Sequence, residues 1–207
     1  MSLTADLRVA LGPGIGVAVR RVGDAPPPWP AEAGAVARAV PARQMEFAAG
    51  RACIRDALAD LGVPAAAVPM GADRAPVWPE GVTGSLAHGA GLCVAIVAPT
   101  ARCAGLGVDI EPDLPLPPEA AAEVLSLQEA ALPGRDHRVI FCAKEAVYKA
   151  HYPATRTVWG FDAVTVALDD GGFTACLAVL PGAAPVRGHI LRRDSVIVTA
   201  VVLSARK

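Results

Sequence analysis

Two stretches of helical periodicity, each trailed by apolar runs of strand length, constrain the fold of this chain more than any other feature. The first runs from Arg43 to Leu61 and meets stop signals at Gly62 and Pro64. A hairpin pattern from Val82 to Ala98 follows it, turning near Gly89 to Gly91. The second runs from Arg135 to Ala150, with Val139, Ile140, Ala143, Val147 and Ala150 at helical spacing. Three strand candidates follow that helix: Phe161 to Leu168, Phe173 to Leu180, and Val186 to Leu203 with a turn near Asp194. An apolar run from Ile15 to Val22 reads as a further strand, and Glu119 to Ala131 as a further helical segment. This order predicts an α+β (α/β) fold of two pseudo-equivalent lobes, each a small sheet packed on a long helix, divided as residues 1–104 and 105–207. No repeat is legible in the residue identities of the two halves.

Composition narrows the partners. With 207 residues, 53% of them hydrophobic, the chain can bury a sizeable core, and since aromatics are only 4% that core must be built from Ala, Val, Leu and Ile. A net charge of −1 lacks the basic footprint of a general nucleic-acid or membrane-surface binder, so anion recognition must be local. Runs such as Leu92 to Ala98 and Val196 to Leu203 fall far short of the roughly 18 residues of a spanning helix. No basic leader precedes an apolar run at the start, and Gly12, Pro13 and Gly14 break the first apolar stretch, so a secretory signal is not expected. Five cysteines without a C-x-x-C pair read as reduced, mostly buried thiols of a cytoplasmic protein.

The chemistry concentrates in two segments. In Gly107-Val108-Asp109-Ile110-Glu111-Pro112 the strand period puts Asp109 and Glu111 on one face. In Phe141-Cys142-Ala143-Lys144-Glu145-Ala146-Val147-Tyr148-Lys149-Ala150 the helical period leaves Glu145 and Lys149 as an i,i+4 pair on another face. The chain uses 16 Arg and only three Lys, yet two of the three Lys stand in this helix. A compact ammonium serves phosphate where the broader guanidinium fork would not fit. Three acids and two ammonium groups that converge on one pocket suit Mg²⁺ and a phosphate ester, the carboxylates holding the cation and the lysines covering the remaining charge. Taken singly, either segment is compatible with an ordinary solvated face, where an i,i+4 pair contributes about 0.3–0.5 kcal/mol.

Taken together, and preceded by Gly50-Arg51-x-x-x-Arg55, Arg74-Ala-Pro-Val-Trp-Pro79 and Gly84-Ser85-Leu86-Ala87-His88, these motifs closely resemble the 4′-phosphopantetheinyl transferases, in particular their two-lobed, monomeric, enterobactin-type branch. The resemblance runs in order from about Arg43 to Pro153. It implies transfer of the phosphopantetheine arm of coenzyme A to a serine of an acyl, peptidyl or aryl carrier protein, with release of 3′,5′-ADP. It further implies that the first lobe recognises the nucleotide while the second carries the metal and catalytic motifs. By resemblance Asp109, Glu111 and Glu145 hold Mg²⁺, or Mn²⁺ in its place, and Lys149 contacts the phosphate under attack. Glu145 is then metal ligand, proton acceptor or both. Arg43, Arg51, Arg74 and His88 match positions that hold the phosphates and the nucleotide end of coenzyme A, and Lys144 is a further candidate.

One position departs from the family pattern. Ser or Thr usually precedes this histidine, whereas here it is Ala87, and Ser85 on the same strand face is the nearest hydroxyl. Loss of a charge-assisted hydrogen bond costs about 1.5–3 kcal/mol. The departure motivates an alternative, a coenzyme A-binding, carrier-docking protein with weakened or lost transfer. Another alternative is a pyrophosphohydrolase that uses the same ligands with water as nucleophile. The segment Pro112 to Leu132 also carries Leu114, Leu116, Val124, Leu125, Leu127 and Leu132, more apolar groups than a connecting segment readily buries, and some of these are expected to meet the carrier.

Overall fold

The computed structural model describes residues 2–205. The elements in order are α1 (Leu3–Leu11), β1 (Gly16–Arg21), α2 (Pro30–Ala33), α3 (Pro41–Asp60), β2 (Val82–Gly89), β3 (Leu92–Pro99), β4 (Cys103–Pro112), α4 (Pro118–Val124), α5 (Leu127–Ala130), α6 (Gly134–Thr155), β5 (Val164–Asp169), β6 (Gly172–Leu177), β7 (Val186–Arg193) and β8 (Val196–Ser204). The strands form two antiparallel sheets, one of three strands in the order β1-β3-β2 and one of five in the order β4-β8-β7-β6-β5.

The layering follows from the apolar alternation. On β3, Cys93, Ala95 and Val97 face α3, where Ala49, Cys53, Ile54, Ala57 and Leu58 cover them. The alternate residues Val94, Ile96 and Ala98 face a second cluster, shared with Leu106, Val108 and Ile110 of β4 and Val196 and Val198 of β8. On β8 the other face carries Val201, which packs against the α6 cluster of Ile140, Ala143, Ala146, Val147 and Ala150. Both faces of β3 and β8 are therefore buried, which is why these strands read as nearly unbroken apolar runs rather than as alternations.

Small residues set the distance between helix and sheet. A Cβ added at Gly105 or Gly107 would overlap the carbonyls of Ala150 and Ala146, so α6 lies directly on the backbone of β4. Gly16 of β1 stands in the same relation to the Ala57 carbonyl of α3. Each long helix thus seats on a glycine-bearing strand, and the expected pairing of one long helix with each sheet is realised.

Three local expectations change. The segment from Glu119 to Ala131 is not one helix: Leu125 is extended, and Ser126 starts α5 through a capping box with Glu129. The strand expected up to Leu180 ends at Leu177. Helix α1, with Leu3, Leu7 and Leu11 buried against the shared cluster and Ser2 capping its N-terminus, is an element beyond those that the sequence pattern predicts above. All five cysteines are free, and only Cys176 is exposed. No helix among the described residues is long and apolar enough to cross a membrane.

Candidate active site

A cavity of about 360 Å³ opens where the edge strands β2 and β4 meet between α3 and α6. One helical face of α3 supplies Arg43, Glu46, Phe47, Gly50 and Arg51, and one face of α6 supplies Phe141, Glu145 and Lys149. His88 stands at the end of β2, Asp109 and Glu111 on β4, and Arg74 on the connection before β2. Eight of the nine residues that the sequence singled out therefore line one space.

The acids occupy the α6 side. Asp109 accepts a hydrogen bond from Lys149 Nζ at 2.6 Å through Oδ1, while its Oδ2 is buried without a partner. Glu111 accepts from Arg138 Nη1 at 2.7 Å. Burial raises the Glu111 carboxyl, the neighbouring Asp109 raises it further, and Arg138 offsets part of this. Glu145 is pushed above the usual glutamate value by burial, with Lys149 opposing and Asp109 and Glu111 adding to the rise. At Lys149 burial disfavours the ammonium, yet Asp109 and Glu145 outweigh it and hold the group above the ordinary lysine value. The expected i,i+4 pair with Glu145 is not the one formed: Lys149 makes its hydrogen bond across to β4.

The cations occupy the α3 side. Arg51 is 4% exposed, its guanidinium lies 4.2 Å above the Phe47 ring, and its Nε is buried without a hydrogen bond. Burial pulls its pKa down to about 10. Glu32 offsets only part of that cost and no hydrogen bond reaches the buried Nε, so this cation is suited to receive an anion. Arg43 Nη1 donates to His88 Nε2 at 2.6 Å and lies 3.1 Å from Glu46, which also approaches His88 at 3.4 Å. Glu46, Phe47, Phe141 and Arg138 were not singled out from the sequence. Their spacing held the signal, since 43, 46, 47, 50 and 51 share one face of α3 and 138, 141, 145 and 149 one face of α6.

Lys144 lies elsewhere. It is 2% exposed, and its three N–H donors go to the Val124 carbonyl at 2.8 Å, Glu129 at 2.8 Å and the Phe161 carbonyl at 3.1 Å. With no donor left for a phosphate, the expected coenzyme contact is corrected to a structural role that ties α4 and α5 to α6. Arg55 is engaged likewise: it pairs with the buried Glu32 and stacks on Trp29. Ala87 is buried, its methyl in the cluster between the sheets, and the Ser85 hydroxyl accepts the Val108 N–H at 3.0 Å. Ser85 is thus a tie between β2 and β4, not a spare hydroxyl.

Asp109, Glu111 and Glu145 present hard oxygen donors to the cavity, and the partnerless Asp109 Oδ2 fits a divalent cation of the Mg²⁺ type. Among the described residues no three His, Cys, Asp or Glu side chains are gathered into a closed ligand set. Lys149 and Arg138 are the counter-ions of two of the three acids.

Comparison with known proteins gives a consistent picture. Residues 31–98 match the model of the 4′-phosphopantetheinyl transferase N-terminal domain, and residues 105–200 that of the 4′-phosphopantetheinyl transferase superfamily. The chain is 41% identical over 197 residues to 4′-phosphopantetheinyl transferase Svp of Streptomyces mobaraensis, an alignment that covers 86% of this chain and 79% of that protein. It is 39% identical over 157 residues to 4′-phosphopantetheinyl transferase PptT of Mycobacterium tuberculosis, covering 71% and 69%. Against enterobactin synthase component D of Salmonella typhimurium it is 32% identical over 178 residues, covering 77% and 71%.

Proposed function

Because the chain belongs to the 4′-phosphopantetheinyl transferase superfamily, we propose that the cavity between α3 and α6 is where it moves the phosphopantetheine arm of coenzyme A onto a serine of an acyl or peptidyl carrier protein, releasing 3′,5′-ADP. The observation that carries this location is the meeting, in one cavity, of a cationic wall from α3 and β2 and an acidic wall from β4 and α6. In this reading the lobe of residues 1–104 recognises the nucleotide and the lobe of residues 105–207 carries the chemistry.

Arg51, with its buried unpaired guanidinium, binds a phosphate of the coenzyme, and Arg43, Arg74 and His88 hold the rest of the nucleotide end. Lys149 neutralises the phosphoryl oxygens at the phosphorus under attack. Glu145, whose burial raises its affinity for protons, takes the proton from the carrier serine as the hydroxyl attacks. Phe47 and Phe141 narrow the cavity and limit water, the competing nucleophile. Asp109, Glu111 and Glu145 would hold Mg²⁺, with Mn²⁺ able to replace it. Bound there, the cation would neutralise charge on the pyrophosphate and on the departing nucleotide.

The carrier meets the α4 and α5 side, where Leu114 is 63% and Leu127 93% exposed, while Leu116 and Val124 are buried and belong to the fold. We read the protein as a cytoplasmic monomer. The test is the intact mass of a carrier protein incubated with this protein, coenzyme A and Mg²⁺. A gain of one phosphopantetheine arm is expected, and an unchanged carrier mass overturns the reading. Incubation with coenzyme A alone should leave it intact, and its hydrolysis would point instead to a pyrophosphohydrolase.

A further inference from the structure

The connection between α3 and β2 contains a tight hairpin that presents Arg74, and its Asp73 has no part in the motifs or the mechanism above. Gly71 N donates to the Ala75 carbonyl at 2.8 Å, Arg74 N to the Gly71 carbonyl at 2.9 Å, and Met70 bridges Pro76. Its tip forces Arg74 into the left-handed region at φ 67°, a conformation that an arginine does not adopt by preference. Asp73 holds this turn from both sides. Its Oδ1 accepts the Ala75 N–H at 3.1 Å inside the turn, and its Oδ2 accepts from Tyr152 Oη at 3.0 Å and Arg156 Nη1 at 2.8 Å at the end of α6.

One carboxylate therefore straps a hairpin of the first half to the helix that carries Glu145 and Lys149. The strap stands between two spaces. Arg74 and Pro76 line the cavity of about 360 Å³ on one side and a second cavity of about 330 Å³ on the other, and Lys149 reaches both. Arg156 is 64% exposed and Asp73 32%, so the bridge is solvated on one side and can open without stranding a buried charge.

We propose that Asp73 is a positioning residue for coenzyme A: by tying the hairpin tip to Tyr152 and Arg156 it sets where the Arg74 guanidinium meets the coenzyme. Without the bridge the turn keeps its internal hydrogen bonds but loses its register against α6. Arg74 then samples positions away from the cavity, and coenzyme binding must supply the free energy of ordering it. This rests on the reading of Arg74 as a coenzyme contact, so that reading has its own control.

The experiment uses Arg74→Ala, the double variant Tyr152→Phe/Arg156→Ala, which leaves the Asp73 turn bond intact, and all three changes combined. Arg74→Ala should raise KM for coenzyme A, and if it does not, the assignment of Arg74 fails before the strap is tested. Given that rise, the double variant should raise KM for coenzyme A by about three- to five-fold, with kcat and KM for the carrier unchanged. In the Arg74→Ala background the same double change should add nothing, because the strap acts through Arg74. Full additivity in the triple variant, an equal fall in kcat, or no change in the double variant overturns the proposal. Asp73→Asn, which keeps Oδ1 for Ala75 but puts an N–H donor where Oδ2 accepts from Tyr152 and Arg156, should give a similar rise in the same constant. Wild-type KM in this variant would overturn the role of the carboxylate.

Discussion

Lys149 Nζ stands 2.6 Å from Asp109 Oδ1, so an ammonium on α6 reaches across to β4 instead of to Glu145 one turn before it. The pair leaves Asp109 Oδ2 buried and free of partners. It also leaves Glu145 without this ammonium as a hydrogen-bond partner, its carboxyl raised by burial.

Asp109→Ala should lower transfer by about 10²-fold or more at limiting Mg²⁺, since it removes a hard oxygen donor and the partner of Lys149 together. The Lys149 ammonium, still desolvated, should lose proton affinity, because the larger part of the attraction that offsets its burial is gone and Glu145 is left to oppose it. Turnover against Mg²⁺ concentration checks the first expectation, and near-normal turnover at low Mg²⁺ would remove Asp109 from the site.

Glu145→Gln preserves size and one oxygen acceptor but cannot take a proton. Turnover should fall by about 10²-fold, with the affinity for coenzyme A changed much less. Calorimetric titration beside turnover measurements separates the two, and an unchanged turnover sinks the proton-acceptor role.

Arg51→Met replaces a buried, unpaired guanidinium by an apolar side chain of similar length. In the absence of coenzyme A the variant should be as stable as the wild type or more stable, because the cost of holding that charge out of water disappears. Its affinity for coenzyme A should drop by about ten-fold or more, the value of a charged hydrogen bond. Urea titration and calorimetry measure the two effects. A variant both destabilised and normal in binding would make Arg51 a purely structural residue.

Lys144 and Glu129 predict a pH signature in stability rather than in catalysis. Burial alone would raise the Glu129 carboxyl, but Lys144 and the N–H groups of Ser126 and Val166 outweigh it and hold it below the usual glutamate value. A depressed pKa in the folded state stabilises the protein above the unfolded value, about 4.3, and that contribution is lost as pH falls through the folded value. Lys144→Ala should therefore cost about 3–5 kcal/mol at neutral pH, by stranding Glu129, and progressively less in acid as Glu129 takes a proton. Denaturant titrations at neutral and acidic pH test this, while KM for coenzyme A in the folded fraction should stay that of the wild type.

Leu127→Glu changes a side chain that is 93% exposed, so the fold should be untouched. The Michaelis constant for the carrier should rise and that for coenzyme A should not. Equal effects on both, or none, would remove Leu127 from the carrier surface. A charge at the buried Leu116 would report on folding instead.

Local pattern alone determined the long helices α3 and α6, the β2–β3 hairpin, the Asp109 strand and the pairing of β7 with β8, because periodicity records which face each segment buries. It also marked Asp109, Glu111, Glu145 and Lys149 through their spacing within single elements, while Arg43, Arg51, Arg74 and His88 were marked by the family resemblance of their motifs. Helix α1 was legible in principle, through Leu3, Leu7 and Leu11 behind a Ser2 cap. What the tertiary structure decided was which charge meets which. Lys144 and Lys149 are five residues apart on one helix. One turns into α5 to hold Glu129 and the other into the cavity to hold Asp109, because α6 is pressed onto Gly105 and Gly107 at a single rotation. That rotation, like the strap from Asp73 to Arg156, depends on backbones brought together from distant parts of the chain. The spacing of residues along one segment carries no record of such an approach.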